Sequence, residues 1–152
     1  MPARIVRRRS PFSLAVVAAL GLVAAGCSSD EGGGTVEVTL QEFAVVPAAS
    51  SVAAGEVTFE VTNEGPDDVH EFVVFKTDLA PDALPTVEDG SVDEAGEGLE
   101  LSGEIEDIAV GDAPSVTLSL EAGSYVLICN IYDADEVEAH YQEGMRVGFT
   151  VE

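Results

Sequence analysis

Positively charged residues are scarce in this sequence. The 152 residues contain six Lys and Arg against 29 Asp and Glu, and four of the six basic residues lie within the first nine positions. A strongly acidic chain repels phosphate groups, which excludes nucleic acid as a partner and excludes attachment to anionic lipid headgroups by charge. The same charge favours either a protein partner with a basic docking surface or simple solubility in a salty medium.

The first 26 residues predict an export signal rather than part of a fold. A basic stretch that ends at Arg9 runs into the apolar residues 14–25, which are too few to span a bilayer as a stable helix. The small residues that follow lead directly to Cys27, and this pattern resembles a bacterial lipobox. The resemblance implies that Cys27 is lipidated and anchors a mature chain of net charge −27 to the outer face of the cytoplasmic membrane. The alternative is an ordinary cleaved signal with an incidental cysteine.

The remaining chain predicts a flexible tether at 27–34 and one all-β domain at 35–152, with no amphipathic helix. Period-two alternation predicts half-buried strands, and continuous apolar runs predict strands buried on both faces. The alternating segments are 36–40, 57–61, 116–120 and 147–151, and the apolar runs are 69–75 and 125–131. Turn signals between them favour a β-sandwich. The acidic segment at about 77–113 is an insertion that is either flexible or built from short elements.

Residues able to bind a transition metal are few but form one complete set. The chain has two cysteines, two histidines and two methionines; Met1 and the predicted anchor Cys27 leave His70, Cys129, His140 and Met145. Two imidazoles and a thiolate with a distant thioether form a blue-copper site, because soft sulfur stabilises Cu(I) and imidazole suits both oxidation states. The inventory predicts one copper site, and no histidine remains for a second, catalytic copper.

The order and surroundings of these residues resemble those of the cupredoxins, the plastocyanin and azurin family. Residues 123–129 look like the strand that ends in the copper cysteine, and residues 140–151 are similar to the ligand histidine, axial methionine and final strand. Asn63-x-Gly65-x-x-x-x-His70-x-Phe72 matches the region of the first histidine. The resemblance covers 35–152 and implies a Greek-key β-sandwich with one type 1 copper ion held by His70, Cys129, His140 and Met145.

The spacing between Cys129 and His140 departs from that of the small cupredoxins. Ten residues, 130–139, stand where those proteins have two to four. Closing the longer loop costs only about 1.4 kcal/mol more by the logarithmic rule, although the loop is expected to loosen or expose the site. The loop also contains four carboxylates, so a hard-cation site or a carboxylate copper ligand is an alternative to an acidic rim. These are Asp133, Asp135, Glu136 and Glu138.

The resemblance implies a one-electron carrier, not an enzyme, with redox protein partners and no small-molecule substrate. In that family the histidine of the ligand loop, here His140, usually lies near the surface and serves as the electron port. Two alternatives stay open from the sequence. The first is a copper storage or delivery protein that uses the same four ligands, and the second is a metal-free domain used for adhesion or assembly.

Overall fold

The computed structural model describes residues 32–152. The predicted export signal, Cys27 and most of the predicted tether lie outside the described residues. In chain order the elements are β1 (Gly33–Gln41), β2 (Ala44–Pro47), β3 (Ser51–Val52), β4 (Gly55–Asn63), β5 (His70–Lys76), β6 (Glu100–Ile108), β7 (Ser115–Leu120), β8 (Gly123–Ile128), β9 (Tyr132–Asp133), β10 (Glu138–Ala139), α1 (His140–Glu143) and β11 (Arg146–Val151). Within this part of the chain, no helix has the length and apolar character needed to cross a membrane.

The strands form two packed sheets and a small separate hairpin. One sheet has the order β2-β1-β4-β7, the other has the order β3-β11-β8-β5-β6, and β9 pairs with β10. β1 runs parallel to β4 and β3 runs parallel to β11, whereas the other pairs are antiparallel. The chain crosses between the two large sheets after β2, β3, β4, β6 and β7, so that neighbours in sequence are often not neighbours in a sheet. The predicted all-β, Greek-key sandwich is confirmed.

The main core lies between the two sheets and follows from alternation along the strands. β1 and β4 each bury every second residue, and the buried apolar residues of these two strands are Val36, Val38, Leu40, Val57, Phe59 and Val61. Phe59 lies at its centre, with ring centroids 5.3 Å from Phe72 and 5.7 Å from Phe149 of the facing sheet. Aromatic pairs at this separation add to the free energy of burial.

A second apolar cluster covers the outer face of the larger sheet. Phe72–Phe75 in β5 and Tyr125–Ile128 in β8 are buried without interruption, as predicted for strands covered on both faces. The cover is supplied by Leu84 and Val92 from the acidic segment and by Tyr141 from α1. The segment after β5 is therefore packed through short elements, turns and an isolated bridge between Thr86 and Val92.

Several elements extend beyond the sequence-based expectation. β1 begins at Gly33, inside the stretch predicted as tether, and residues 100–108 form a full edge strand, β6, where a flexible segment or short elements were expected. The polar and charged residues of β6 obscured its pattern, because an edge strand with one covered face needs few apolar residues. β2 and β3 are too short for periodicity to identify them.

Phe59 tests the importance of the central core. Phe59→Ala should lower the free energy of unfolding by about 3–5 kcal/mol, because it removes a fully buried ring and leaves a cavity. Val46→Ala is the control, since Val46 is 48% exposed and should change stability by no more than about 0.5 kcal/mol. Denaturant unfolding of both variants measures the difference. Equal stabilities would contradict the assignment of Phe59 to the core.

Candidate metal centre

The three strongest donors predicted from the sequence meet inside one end of the sandwich. His70 is the first residue of β5, Cys129 follows β8 directly, and His140 begins α1 after the β9–β10 hairpin. His70 and Cys129 are fully buried and His140 is 2% exposed. Adjacent strands β5 and β8 run antiparallel, which places the start of one beside the end of the other. His70 and Cys129 are in contact although 59 positions separate them in the sequence. His70 and His140 are in contact across 70 positions.

The separations of the donor atoms suit a single metal ion. His70 Nδ1 and His140 Nδ1 are 3.2 Å apart, and Cys129 Sγ lies 3.9 Å from the former and 3.4 Å from the latter. Nitrogen and sulfur donors that share one ion at bond lengths of about 2.0–2.3 Å lie about 3–4 Å from each other. Two imidazoles and one thiolate are the donor set preferred by copper in trigonal sites. The residues present therefore fit a copper ion.

Met145 completes the predicted set from the base of the last strand. It is fully buried, directly precedes β11, and belongs to the same core cluster as Cys129. Its backbone is tied to both neighbouring donors, because its carbonyl accepts from the Cys129 N–H at 3.1 Å and its N–H donates to the His140 carbonyl at 3.0 Å. Gly144, with a φ of 130°, lets the chain turn from α1 into this position.

The ten residues between Cys129 and His140 form a hairpin that closes the loop at its base. β9 and β10 pair through Ala139 opposite Tyr132, and the His140 N–H donates to the Ile131 carbonyl at 3.0 Å. This pairing brings the two ends of the insertion together next to the donors. The expectation that the longer loop exposes the site is wrong at His140, which is almost fully buried.

Carboxylates surround the outer side of His140. Ligand atoms of Asp68, Glu138 and His140 lie within 4.8 Å of one another. Of the four acidic residues in the loop only Glu138 is in this group; Asp133 instead accepts hydrogen bonds from the Asp135 and Glu136 backbone N–H groups and so shapes the hairpin turn. This arrangement fits an acidic rim beside His140, and Asp68, Glu138 and His140 are also close enough to one another to share a cation.

Burial keeps the unliganded donors neutral. It lowers the pKa of His70, which the adjacent His140 ring lowers further, and it lowers the pKa of His140. Burial also raises the pKa of the Cys129 thiol to about 12, although the Glu71 N–H lies 3.3 Å from Sγ and favours the thiolate. Neutral imidazoles are ready to bind a metal, whereas the thiol must release its proton when a metal binds.

Asn63 fixes the turn that leads into His70. It is fully buried, and its side-chain amide donates to the carbonyls of Asp68 and Ile108 at 2.8 and 2.9 Å. Its side-chain oxygen accepts the Gly65 N–H at 2.8 Å. The Asn-x-Gly pattern recognised in the sequence thus has a physical basis, because one side chain satisfies two backbone groups of the ligand-bearing turn and ties the turn to the end of β6.

The tip of the β1–β2 hairpin contacts both histidines, a feature that sequence reasoning missed. The Phe43 ring lies edge-on to His140 with centroids 5.2 Å apart, and Glu42 Oε1 lies 3.6 Å from His70 Nε2. The residues lie between two strands and carry no recognised motif, so no periodicity or spacing could have placed them at the site.

This chain resembles known proteins in structure but not detectably in sequence. The sequence matches no family model and no curated protein. Solved structures do match. The dithionite-reduced auracyanin from the photosynthetic bacterium Roseiflexus castenholzii aligns with 80% of this chain and 97% of its own, at 17% identity and a TM-score of 0.52. The chain has the cupredoxin fold.

Two further structures support this fold. Auracyanin B covers 78% of this chain and 88% of its own, at 22% identity and a TM-score of 0.52. Auracyanin A, a blue copper protein from the green thermophilic bacterium Chloroflexus aurantiacus, covers 80% of this chain and 100% of its own, at 18% identity and a TM-score of 0.50. This protein thus carries its buried His-Cys-His group on a cupredoxin sandwich.

Asn63 provides a test of the turn before His70. Asn63→Ala should lower the free energy of unfolding by about 2–4 kcal/mol, because it leaves buried backbone groups without hydrogen-bond partners. Glu60→Gln, at an exposed position of the same strand, is the control and should change stability little. Thermal or denaturant unfolding measures both. If the two variants unfold alike, Asn63 does not hold the turn.

Proposed function

We propose that this protein binds one copper ion through His70, Cys129, His140 and Met145 and acts as a one-electron carrier. The observation that carries the proposal is the convergence of three donor atoms, 3.2–3.9 Å apart, in a buried position. A single copper ion in such a site supplies a one-electron couple. The blue copper description of auracyanin A, which shares the fold, supports the same metal.

The sandwich holds the donors in place before any metal binds. Cys129 and Met145 are joined by a backbone hydrogen bond, His140 is fixed by Ile131, and His70 lies within β5. Ligands fixed in this way within a close-packed interior move little when charge changes, which favours rapid exchange of an electron over release of the metal. The short contact from the Glu71 N–H to Cys129 Sγ adds a donor that stabilises a sulfur carrying negative charge.

Electrons would enter and leave beside His140. A surface cleft is lined by Asp67, Asp68, Val69, Asp133 and His140, so the ring lies directly beneath an acidic surface. A redox partner with a basic docking surface is attracted to such a rim, and association is then faster at low ionic strength. The proposed role is therefore that of a carrier rather than an enzyme. Its partner would be another protein, and no small-molecule substrate is expected.

Anchoring by lipidated Cys27 at the outer face of the cytoplasmic membrane is part of the proposal. It rests on the basic and apolar leader and on the small residues before Cys27. A chain with this acidic composition gains nothing from anionic headgroups, so acyl chains would supply the attachment. β1 begins at Gly33, so residues 28–32 would separate the anchor from the first strand.

The two cysteines provide a matched test of the copper site. Cys129→Ser should abolish the intense thiolate-to-copper absorption of the copper-loaded chain, because serine cannot supply the thiolate charge transfer. Cys27→Ser, the same substitution at the other cysteine, should leave the absorption intact. Visible spectra of both variants after addition of Cu(II), with circular dichroism to check folding, make the comparison. Retention of the band in Cys129→Ser would contradict the assignment.

Cys27→Ser also tests the anchor. The variant should move from the membrane fraction to the soluble fraction of the cells that export it, because it loses the residue that carries the acyl chains. Immunoblotting of the two fractions measures the change, and Ser28→Ala is the control that should stay with the membrane. Persistence of Cys27→Ser in the membrane fraction at the size of the cleaved wild-type chain would contradict lipidation at this residue.

A further inference from the structure

Two buried polar atoms next to the candidate metal centre have no hydrogen-bond partner. Within residues 32–152, the buried side-chain nitrogen and oxygen atoms in this condition are His70 Nε2 and Glu42 Oε2. His70 is fully buried and the Glu42 side chain is 11% exposed. Unpaired buried polar atoms are rare in folded proteins and destabilise them. The two side chains are neighbours, so each can satisfy the polar atom that the other leaves unpaired.

The Glu42 carboxylate is held beside the imidazole by the turn that precedes it. Glu42 Oε1 accepts the backbone N–H of Asp68 at 2.7 Å and that of Asp67 at 3.2 Å. The same oxygen lies 3.6 Å from His70 Nε2, which is a close approach but longer than a hydrogen bond. The other oxygen, Oε2, has no donor, so the carboxylate can offer it to the imidazole N–H while Oε1 keeps its backbone contacts.

The chemistry of the two groups fixes the roles of the imidazole nitrogens. A carboxylate only accepts hydrogen bonds, so the nitrogen that faces it, Nε2, is the one that carries hydrogen in neutral His70. Nδ1 then presents a lone pair towards Cys129 Sγ and His140 Nδ1. A lone pair on that nitrogen is what metal binding requires, and in the metal-free protein it can accept a hydrogen bond from His140 Nδ1 when that nitrogen carries hydrogen.

We propose that Glu42 is a positioning residue that accepts the His70 Nε2–H and thereby holds His70 as the tautomer whose Nδ1 faces the copper site. The role of Glu42 in orienting a copper ligand rests on the proposed function. The Nε2–H tautomer of His70, in contrast, is expected in the metal-free protein as well. The carboxylate–histidine pair also places a negative charge next to the site, which favours Cu(II) over Cu(I). Glu42 lies in the turn between β1 and β2, and neither of these strands carries any of the four proposed ligands.

Glu42→Gln is the informative variant because it keeps the size of the side chain. Its amide oxygen can still accept from Asp68, but the amide NH₂ then faces His70 Nε2 and disfavours hydrogen on that nitrogen. The variant should populate the Nδ1–H tautomer of His70, bind copper about 10- to 100-fold more weakly, and show a higher reduction potential. Glu64→Gln is the control, since Glu64 is an exposed residue of the same region that contacts Gln41 rather than His70.

The experiment is long-range ¹⁵N–¹H NMR of the histidines in the metal-free full chain, followed by competitive Cu(II) titration. We expect Nε2–H at His70 in the wild type and in Glu64→Gln, and a shift towards Nδ1–H in Glu42→Gln. Nδ1–H at His70 in the wild type would overturn the inference without any variant. So would a folded Glu42→Gln with wild-type tautomer and affinity. A wild type with Nε2–H at His70 that fails to bind copper would support the pairing and refute the proposed function.

Discussion

Two imidazoles and a thiol face one another inside the protein, within 3.2–3.9 Å, where water cannot solvate them. Removing polar groups from water destabilises a fold unless other groups form hydrogen bonds with them. The protein must therefore hold the neighbours of these donors in defined positions. The strands supply this specification. β5 and β8 lie side by side in one sheet. The backbone hydrogen bond from the Cys129 N–H to the Met145 carbonyl ties the end of β8 to the residue before β11. The donor group is thereby part of the core rather than an attachment to it.

Segments outside the regular sandwich reinforce the same end of the molecule. The acidic segment after β5 packs Leu84 and Val92 on the outer sheet face, where the Leu84 N–H donates to the Tyr141 hydroxyl at 3.1 Å. Asn130, the residue after Cys129, bonds to Val92 through both its side-chain atoms. The hairpin at 130–139 closes over the other side. Insertions that could have loosened the centre instead fasten the loop that carries it.

Features that leave a local pattern in the sequence could be predicted, and features that depend on contacts between distant residues could not. Strands with alternating or continuous apolar residues, such as β1, β4, β5 and β8, were predicted because burial imposes a period of two. The donors were predicted from their scarcity and order, and the structure brings His70, Cys129 and His140 together. Contacts set by long-range packing left no local trace, which is why Glu42 and Phe43 were missed. The edge strand β6 was only weakly indicated because its solvent face is charged.

Donors held in fixed positions by the sandwich and its backbone hydrogen bonds favour an electron carrier over a protein that delivers copper. The most direct measurement is a redox titration of the copper-loaded full chain, followed by repeated cycles of reduction and reoxidation with metal analysis after each cycle. A preformed site predicts a reversible one-electron change and full retention of copper. Loss of copper on reduction, or an irreversible change, would contradict electron transfer as the function and would indicate delivery of the metal.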